Sequence, residues 1–462
     1  MRKEQDALGT RELEDDVLFG IHTLRASENF AVSSYVMPKV FIDAFTMVKE
    51  AAATTSLSLK MLEENKAYAI INACHKIRNG EALNYLVTDA LQGGAGTSTN
   101  MNFNEVIANL AIIELGGTAG DYSVISPLDD VNRFQSTNDV YPTALKVASL
   151  LLLKQLENSS AILQEELQKK EQEFKNVIKV GRTEFQDAVP MTLGMEFGAF
   201  ADALSRDRWR IFKCRERIKQ VNLGGTAIGT GLAAPREYIF KVVENLRSIS
   251  GLALSRSENL IDATANSDSF VEVSGMLKAF AANLFKIASD LRVLSSSQYA
   301  EITLPAVQAG SSIMPSKINP VIPEMVSQIA LKIMANDSLI AQAASLGNMQ
   351  INQFMPLIAQ ALLESLELLN NASLIFAEKC IKGITANGEK CLTNFEKSFT
   401  LATVLVPILG YNKVSEIVKA AKLNQCTIKE QLLQEKLLSA TEIDELMSAQ
   451  NMYKLGFEKK YE

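Results

Sequence analysis

Long segments of helical hydrophobic periodicity are the feature that most constrains how this chain can fold. Beyond residue 41, apolar residues recur every three or four positions, which predicts long helices over about 142–175, 192–220, 267–296 and 323–371. The last of these is expected to break near Gly347 and Pro356. A helix of about 30 residues is about 45 Å long, so it buries its apolar face best against other long helices. The pattern predicts a mostly α fold with a long central helical bundle.

Length, charge and cysteine content narrow the class of protein. A chain of 462 residues exceeds one ordinary core, so two or three domains are expected, including a small helical one beyond Val404. A net charge of −7 without a basic run argues against a nucleic-acid partner. Five scattered cysteines without a CxxC pair indicate neither a disulfide framework nor a zinc site. The N-terminus does not resemble a signal peptide, and no apolar stretch approaches the roughly 20 residues of a membrane span, so we expect a soluble, cytoplasmic protein.

Three segments interrupt the apolar pattern with dense small polar residues. They cover 93–102, 132–139 and 310–319, and each leads into a predicted helix, near Glu105, Pro142 and Pro323 respectively. Unpaired N–H groups and the helix dipole favour anions at such helix N-termini. One segment of this kind is usually only a helix cap, but three of them fit a carboxylate-binding site better.

The third polar segment is the most informative. Gly310 permits tight backbone geometry, Pro315 and Pro320 stiffen the chain, and Lys317 supplies a cation for a carboxylate. Most lysines are ordinary surface residues, but one held between two prolines beside paired serines is a better candidate for binding.

Other catalytic signatures are weak. The only histidines, His22 and His75, have no spacing that suggests a metal site or a Ser-His-Asp triad. Residues 229–234 match a loose dinucleotide pattern, but a polar stretch precedes them and Pro235 follows, so a nucleotide site is not expected. We expect no metal and no cofactor, and the chemistry must come from hydroxyls, amides and lysine.

The stretch from Gly310 to Pro320, Gly-Ser-Ser-Ile-Met-Pro-x-Lys-x-Asn-Pro, resembles the signature of the aspartase/fumarase superfamily. Residues 20–30, 135–143 and 181–194 resemble other blocks of that superfamily, so the similarity reaches along nearly the whole chain. Residues 186–192 and 226–231 are most similar to the aspartase branch.

The resemblance implies a three-domain subunit, with an N-terminal domain over 1–138, a helical-bundle domain over 139–392 and a small C-terminal helical domain over 393–462. It also implies a homotetramer with a twenty-helix bundle and active sites shared between three subunits. The expected substrate is a small dicarboxylate, and the expected reaction is elimination of ammonia from L-aspartate to give fumarate. No membrane partner is expected.

The resemblance also implies roles for individual residues. Ser311 would be the base that removes the Cβ proton, which creates a dianionic aci-carboxylate that preorganised donors must stabilise. The substrate-binding residues implied are Thr97, Ser136, Thr137, Asn138, Thr183, Ser312, Lys317 and Asn319.

This sequence departs from the superfamily after the Gly-Arg-Thr triplet, where fumarases carry His and aspartases His or Gln. Here the residue is Glu184, which is compatible with a dicarboxylate if it faces the substrate ammonium group. The alternative is that Glu184 turns toward solvent or Arg182. The 294–302 segment is also shorter than in aspartases and lacks their Gly-Pro-Arg loop.

Three other functions are compatible with these departures. The chain could be a fumarate hydratase, an ammonia-lyase for a modified aspartate, or a catalytically silent homologue such as the crystallins of this superfamily. The intact Ser311, Lys317 and Asn319 argue against the silent homologue.

Overall fold

Helices make up most of this chain in the computed structural model, which describes residues 1–454 and 456. In chain order the helices are α1 (Ile21–Asn29), α2 (Lys39–Ser58), α3 (Glu64–Arg78), α4 (Thr97–Glu114), α5 (Thr137–Glu173), α6 (Leu193–Ile218), α7 (Arg236–Ser250), α8 (Leu260–Ala265), α9 (Asp268–Leu294), α10 (Val321–Ser345), α11 (Met355–Lys379), α12 (Gly388–Lys397), α13 (Leu401–Leu409), α14 (Tyr411–Asn424), α15 (Ile428–Gln434), α16 (Ala440–Leu446) and α17 (Ala449–Met452).

Short strands form two-stranded pairs between these helices. They are β1 (Arg2–Asp6), β2 (Gly9–Leu13), β3 (Ile178–Thr183), β4 (Gln186–Thr192), β5 (Gln220–Val221), β6 (Ser255–Arg256), β7 (Ile302–Thr303) and β8 (Thr385–Ala386). The pairs β1–β2, β3–β4 and β7–β8 are antiparallel, and β5–β6 is parallel. The β3–β4 hairpin was not expected from the sequence.

The long helices predicted from periodicity are confirmed, with two corrections to where helices begin. Helix α5 starts at Thr137, so Pro142 is its sixth residue and cannot donate to Asn138 O, which accepts a hydrogen bond from Asn222 Nδ2 at 3.0 Å instead. Helix α4 starts at Thr97 and not near Glu105. The predicted break in the 323–371 segment is confirmed as the gap between α10 and α11.

The chain divides into two compact units. Unit 1 contains Met1–Glu157, Trp209–Ala279 and Lys332–Asn370. Unit 2 contains Asn158–Arg208, Phe280–Leu331 and Asn371–Glu462, of which 455 and 457–462 lie outside the described residues. The predicted C-terminal domain over 393–462 includes these residues, so that part of the prediction lies outside the described residues.

Unit 1 has a core rich in aromatic side chains. Phe45 stacks on Phe103 with ring centroids 4.3 Å apart, and Phe41 and Tyr141 meet edge to face at 5.2 Å. These rings join α2, α4 and the start of α5, and aromatic pairs of this geometry stabilise a core by about 0.5–1.5 kcal/mol beyond their burial. The start of α5 is thereby fixed against α4.

Unit 2 packs its C-terminal helices around the β3–β4 hairpin. Val180 of β3 is fully buried in a cluster with residues from α12 to α16, including Phe395, Leu405, Ile417 and Leu432. Val180 lies in β3, the strand that leads to the hairpin tip at Glu184 and Phe185. The hydrophobic core around Val180 therefore fixes the strand that carries this tip. No helix in the described part of the chain is long and apolar enough to cross a membrane.

Gly229 offers a test of the fold in unit 1. Its φ is +88°, and an added Cβ would lie 2.3 Å from Leu260 O and 2.4 Å from Ile261 Cα. Both contacts are backbone atoms, so Gly229→Ala should lower the free energy of unfolding by at least about 2 kcal/mol. Thermal melting followed by circular dichroism at a fixed protein concentration measures this.

Gly388→Ala is the matched control. It lies at the start of α12 with nothing within 4 Å of an added Cβ, so alanine should change stability by no more than about 1 kcal/mol. Equal melting temperatures for the two variants would contradict the geometry described at Gly229.

Candidate active site

The first predicted substrate segment forms the N-terminus of α4. Gly96 precedes the helix with a φ of +94°, and a Cβ there would lie 2.3 Å from the ring of Tyr141, so glycine is required. The hydroxyl of Thr97 donates to Gly94 O at 2.7 Å and is exposed. Thr97 is therefore the first residue of a helix whose N-terminal N–H groups favour an anion.

The second predicted segment forms the N-terminus of α5. Ser136 Oγ accepts a hydrogen bond from Asn138 N at 3.2 Å, and Asp139 Oδ1 accepts one from Ser136 N at 2.9 Å. These reciprocal bonds resemble a capping box, with Asp139 in place of the usual Glu and with Asn138 as the backbone donor in place of the third helical residue. Ser136 therefore caps the helix, and Thr137 and Asn138 occupy its first turn.

Asp139 connects this helix start to the segment over 226–231. Its Oδ2 accepts hydrogen bonds from Gly224 N at 3.1 Å and Thr226 N at 3.0 Å. Asn138 adds a bond from its Nδ2 to Ala227 O at 2.7 Å. Burial raises the pKa of Asp139 to about 6, against the opposing effect of the backbone N–H donors. The aspartase-like segment is thus tied to a predicted substrate residue.

Lys49 of α2 holds the second segment, residues 132–139, through side-chain hydrogen bonds. Its Nζ donates to Asn132 Oδ1 and to Gln135 Oε1, both at 3.0 Å, and the side chain is fully buried. Burial lowers the pKa of Lys49 to about 7, and the charge of Asp139 partly offsets this. Sequence analysis did not identify Lys49. The available signal was a lysine one turn after Phe45 within an apolar helix face.

Asn100 joins the first two predicted segments. Its Nδ2 lies 3.1 Å from Asn132 Oδ1 and 3.2 Å from Thr137 Oγ1, and the residue is buried. Because Asn100 lies in the first turn of α4, it brings the helix start that carries Thr97 next to the one that carries Thr137. The structure therefore unites two of the three polar segments within unit 1.

The hairpin between β3 and β4 carries Thr183 and Glu184 at its tip in unit 2. Thr183 pairs with Gln186, which leaves Glu184 and Phe185 as a two-residue loop with φ of 53° and 62°. Positive φ at both loop positions suits the twist of a two-residue hairpin, although glycine or asparagine is usual there. Both Thr183 and Glu184 are exposed, and Glu184 has no ion pair with Arg182.

The base of this hairpin is held by a buried carboxylate that sequence analysis did not single out. Glu301, whose side chain is fully buried, accepts a bond from Arg182 Nη1 at 2.8 Å and has Lys179 Nζ 3.1 Å away. Arg182 also pairs with Asp187 at 3.2 Å and lies over the ring of Tyr299, 4.4 Å from its centroid. These contacts fix the strands on either side of the exposed tip.

The third polar segment is a closed loop in unit 2. Gly310 N donates to Lys317 O at 2.8 Å, and Asn319 Nδ2 donates to Gly310 O at 2.7 Å. A Cβ at position 310 would lie 2.5 Å from Lys317 O, so only glycine closes the loop in this way. Asn319, predicted to bind substrate, has in this structure the role of closing the base of the loop.

Within that loop, the hydroxyl oxygen of Ser311 faces two backbone donors. Ile313 N lies 3.2 Å and Met314 N 3.0 Å from Ser311 Oγ. Hydrogen bonds donated to an oxygen favour its anionic form over its protonated form. Ser312 and Lys317 are exposed on the same loop.

The predicted site residues therefore fall into three groups. Thr97, Ser136, Thr137 and Asn138 form a connected group in unit 1, whereas the hairpin tip and the Ser311 loop are separate parts of unit 2. No hydrogen bond or ion pair joins the hairpin tip to the 310–320 loop among the described residues of unit 2. The catalytic and binding roles of all these residues stay predictions.

A family model described as "Lyase" matches residues 9–335, and a second, described as "Fumarase C C-terminus", matches residues 401–454. The chain belongs to this family of lyases, the aspartase/fumarase superfamily. Its relatives include the aspartate ammonia-lyase of Bacillus subtilis (strain 168), which is 43% identical over 462 residues, covering 99% of this chain and 97% of that protein. The aspartate ammonia-lyase of Escherichia coli (strain K12) is 42% identical over 466 residues, covering 100% and 98% of the two chains.

Solved structures agree with this assignment. A fumarate lyase:delta crystallin from Brucella melitensis, bound to cobalt, superposes with a TM-score of 0.94 at 46% identity, covering 98% of this chain and 99% of that one. A class II fumarase from Schistosoma mansoni superposes with a TM-score of 0.92 at 32% identity, covering 98% of each chain. The expected aspartase/fumarase fold is confirmed.

We expect Lys49→Met to lower kcat/KM for the amino-acid substrate about 5- to 150-fold, mainly through KM. The change leaves two amide oxygens without their donor, which costs about 1–3 kcal/mol, and lets the segment that carries Thr137 relax. Lys76→Met is the control, because Lys76 is only half-buried and its ion pair among the described residues is with Glu114, away from the polar segments. Equal kinetics in the two variants would show that Lys49 does not position the segment.

The same variant has a second readout in the pH dependence of stability. Between about pH 7 and pH 10 the unfolded chain binds a proton at Lys49 that the folded protein has released, so this residue makes the free energy of unfolding rise with pH. Lys49→Met should remove that rise, whereas Lys76→Met should keep it. Urea denaturation at pH 7 and pH 9 compares them.

Proposed function

We propose that this chain is an aspartate ammonia-lyase, which eliminates ammonia from L-aspartate by anti-elimination to give fumarate. The observation that carries the proposal is the Ser311 loop, whose hydroxyl oxygen faces two backbone N–H donors in a chain similar along its whole length to aspartate ammonia-lyases. The reaction is that of a carbon–nitrogen lyase and uses no cofactor in this proposal.

Ser311 acts as the base. A serine hydroxyl removes a proton only if its anion is stabilised, and the N–H groups of Ile313 and Met314 at Oγ favour that anion. The positive charge of Lys317 on the same loop adds to this effect when the loop closes over substrate and excludes water.

Removal of the Cβ proton places a second negative charge on the neighbouring carboxylate, and preorganised donors lower the free energy of that aci-carboxylate. The helix starts at Thr97 and Thr137 offer hydroxyls and backbone N–H groups at the positive ends of two helices. Ser136, Asn138, Thr183, Ser312, Lys317 and Asn319 complete the proposed binding set. Fumarate forms when the electron pair expels the amine from Cα.

The proposed site is shared between subunits of a homotetramer located in the cytoplasm. Support comes from the exposure of Thr183, Glu184, Ser312 and Lys317, which gives a neighbouring copy access to them. The proposed subunit keeps the three domains over 1–138, 139–392 and 393–462. Its small-molecule dicarboxylate is then enclosed by side chains from several copies.

Ser311→Ala should abolish turnover of L-aspartate, a loss of at least about 1,000-fold in kcat, while binding of substrate remains. Formation of fumarate is followed by its ultraviolet absorbance, and substrate binding by isothermal titration calorimetry. The control is Ser248→Ala, which changes an exposed serine of α7 whose hydroxyl donates to Glu244 O of its own helix. Retained kcat in Ser311→Ala would exclude this serine as the base.

The same assay with L-malate separates ammonia-lyase from fumarate hydratase activity in the wild-type protein. Fumarate from L-malate alone would favour the hydratase. Product from neither substrate would favour a modified aspartate or a silent homologue.

Glu184 provides a test of how the substrate amine is recognised. In our proposal its carboxylate pairs with the ammonium group, so Glu184→Gln should raise the KM for L-aspartate about tenfold, the loss of one charge-assisted bond. Fumarate binds without an amine, so its inhibition constant should change little. If Glu184→Gln changes neither the KM nor kcat for L-aspartate, Glu184 does not contact the amine.

A further inference from the structure

Unit 2 contains a cavity of about 740 Å³ behind the β3–β4 hairpin. One wall is the hairpin itself, with Arg182, Gln186 and Asp187. The other walls are the turn at Gln298 and Tyr299 and the ends of α12 and α14. Its volume lies in the range of about 300–1,000 Å³ that is usual for small-molecule sites.

The charge of this cavity is positive. Lys397, Lys422 and Arg182 line it, and among its described lining residues Asp187 is the only carboxylate. Neither Lys397 nor Lys422 has a carboxylate within 4 Å in the described part of the chain. On the same helix α14 as Lys422, Lys413 does pair with Glu435 at 3.2 Å.

The lining also supplies neutral donors. The side-chain amides of Gln186 and Gln298 face the cavity region without a hydrogen-bond partner among the described residues. Lys422 Nζ lies 5.0 Å from the centroid of the Phe399 ring, a contact that holds the cation at the cavity wall. Cations and amide donors around a polar space suit a small anion with several negative oxygens.

We propose that this cavity is a second, non-catalytic site for a small multivalent anion, either a polycarboxylate or a phosphate, and that its occupancy is transmitted to the tip of the β3–β4 hairpin. The chemistry common to both ligands is a cluster of anionic oxygens bound by Lys397, Lys422 and Arg182. The effect on turnover rests on the function proposed above, whereas binding itself does not.

Arg182 carries the coupling. Its guanidinium lines the cavity and pairs with Asp187 across the hairpin at 3.2 Å, while Glu301 holds its other side at 2.8 Å. An anion that binds Arg182 competes with Asp187 and loosens the cross-strand pair. Thr183 follows Arg182 directly, so the change reaches the residues proposed to bind substrate. Arg182 is a positioning residue in this scheme.

Isothermal titration calorimetry with inorganic phosphate and, separately, with citrate tests the site in the full-length protein. The double variant Lys397→Gln/Lys422→Gln should bind at least one of these probes about tenfold more weakly than wild type at this site. Binding at the catalytic site is common to both proteins, so the difference reports the cavity. Weakening for phosphate only identifies a phosphate site, and weakening for citrate only a polycarboxylate site.

The matched control is Lys413→Gln/Lys429→Gln, which removes the same charge from half-buried lysines of unit 2 that pair with Glu435 and Asp444. It should bind both probes as wild type does. Equal binding by the two double variants and wild type would overturn the proposal, and so would equal weakening in both, since that reports net charge alone.

Coupling is measured as kcat and KM for L-aspartate with and without a saturating concentration of the probe that binds. Wild type and the control should show a change of at least about threefold in KM that is absent from Lys397→Gln/Lys422→Gln. Binding without such a change would overturn the coupling. If no protein turns over L-aspartate, the proposed function fails while the calorimetry still decides the site.

Discussion

The buried carboxylate of Asp139 is the interaction on which the candidate site in unit 1 depends. It accepts backbone N–H groups from Ser136, Gly224 and Thr226, so one side chain sets both the cap of α5 and the path of a distant loop. A buried carboxylate is costly unless such donors surround it. Lys49 contributes an opposite charge from α2. The small polar residues at the start of α5 are therefore held in place by Asp139 and Lys49, because moving either side chain would leave a buried charge without its partners.

The hairpin in unit 2 has a comparable anchor in Glu301, with cations in place of backbone donors. Lys179 and Arg182 from β3 both meet this carboxylate, and Asn394 of α12 donates to its Oε1 at 3.2 Å. The segment around Glu301 and the C-terminal helices are thereby tied to the same strand. In each unit a buried carboxylate, Asp139 or Glu301, fixes the backbone that carries the predicted site residues. Such a rigid support positions side chains that make few packing contacts of their own.

The sequence allowed the long helices and the polar segments to be predicted, because each has a local signal. Helical periodicity identified α5, α6, α9, α10 and α11, and the break between the last two followed from Gly347 and Pro356. Helix starts were placed too late because Thr, Ser and Asn resemble loop residues when they occupy a first turn. The β3–β4 hairpin was missed because its tip, Glu184 and Phe185, lacks the glycine or asparagine that normally marks a two-residue turn.

The roles of Lys49, Asp139 and Glu301 could not be assigned from sequence, because each has partners that lie far along the chain. Lys49 meets Asn132 and Gln135, and Glu301 meets Arg182, across separations that periodicity does not report. A charged residue within an apolar helix face indicates a buried ion pair or a functional group, but the pattern does not identify the partner residue. The signature loop was different, because the bonds between Gly310, Lys317 and Asn319 are all local.

The conformation of the hairpin tip bears on the identity of the substrate. Glu184 and Phe185 both have left-handed backbone conformations, which cost non-glycine residues about 1–2 kcal/mol each. Strain of this size persists only where the flanking structure fixes the backbone. Here the hydrogen bonds between β3 and β4 and the ion pair of Arg182 with Glu301 fix it. A glycine at either position would relieve the strain but remove a side chain. The exposed tip thus presents a carboxylate beside Thr183, and in our proposal this carboxylate pairs with the ammonium group of the substrate.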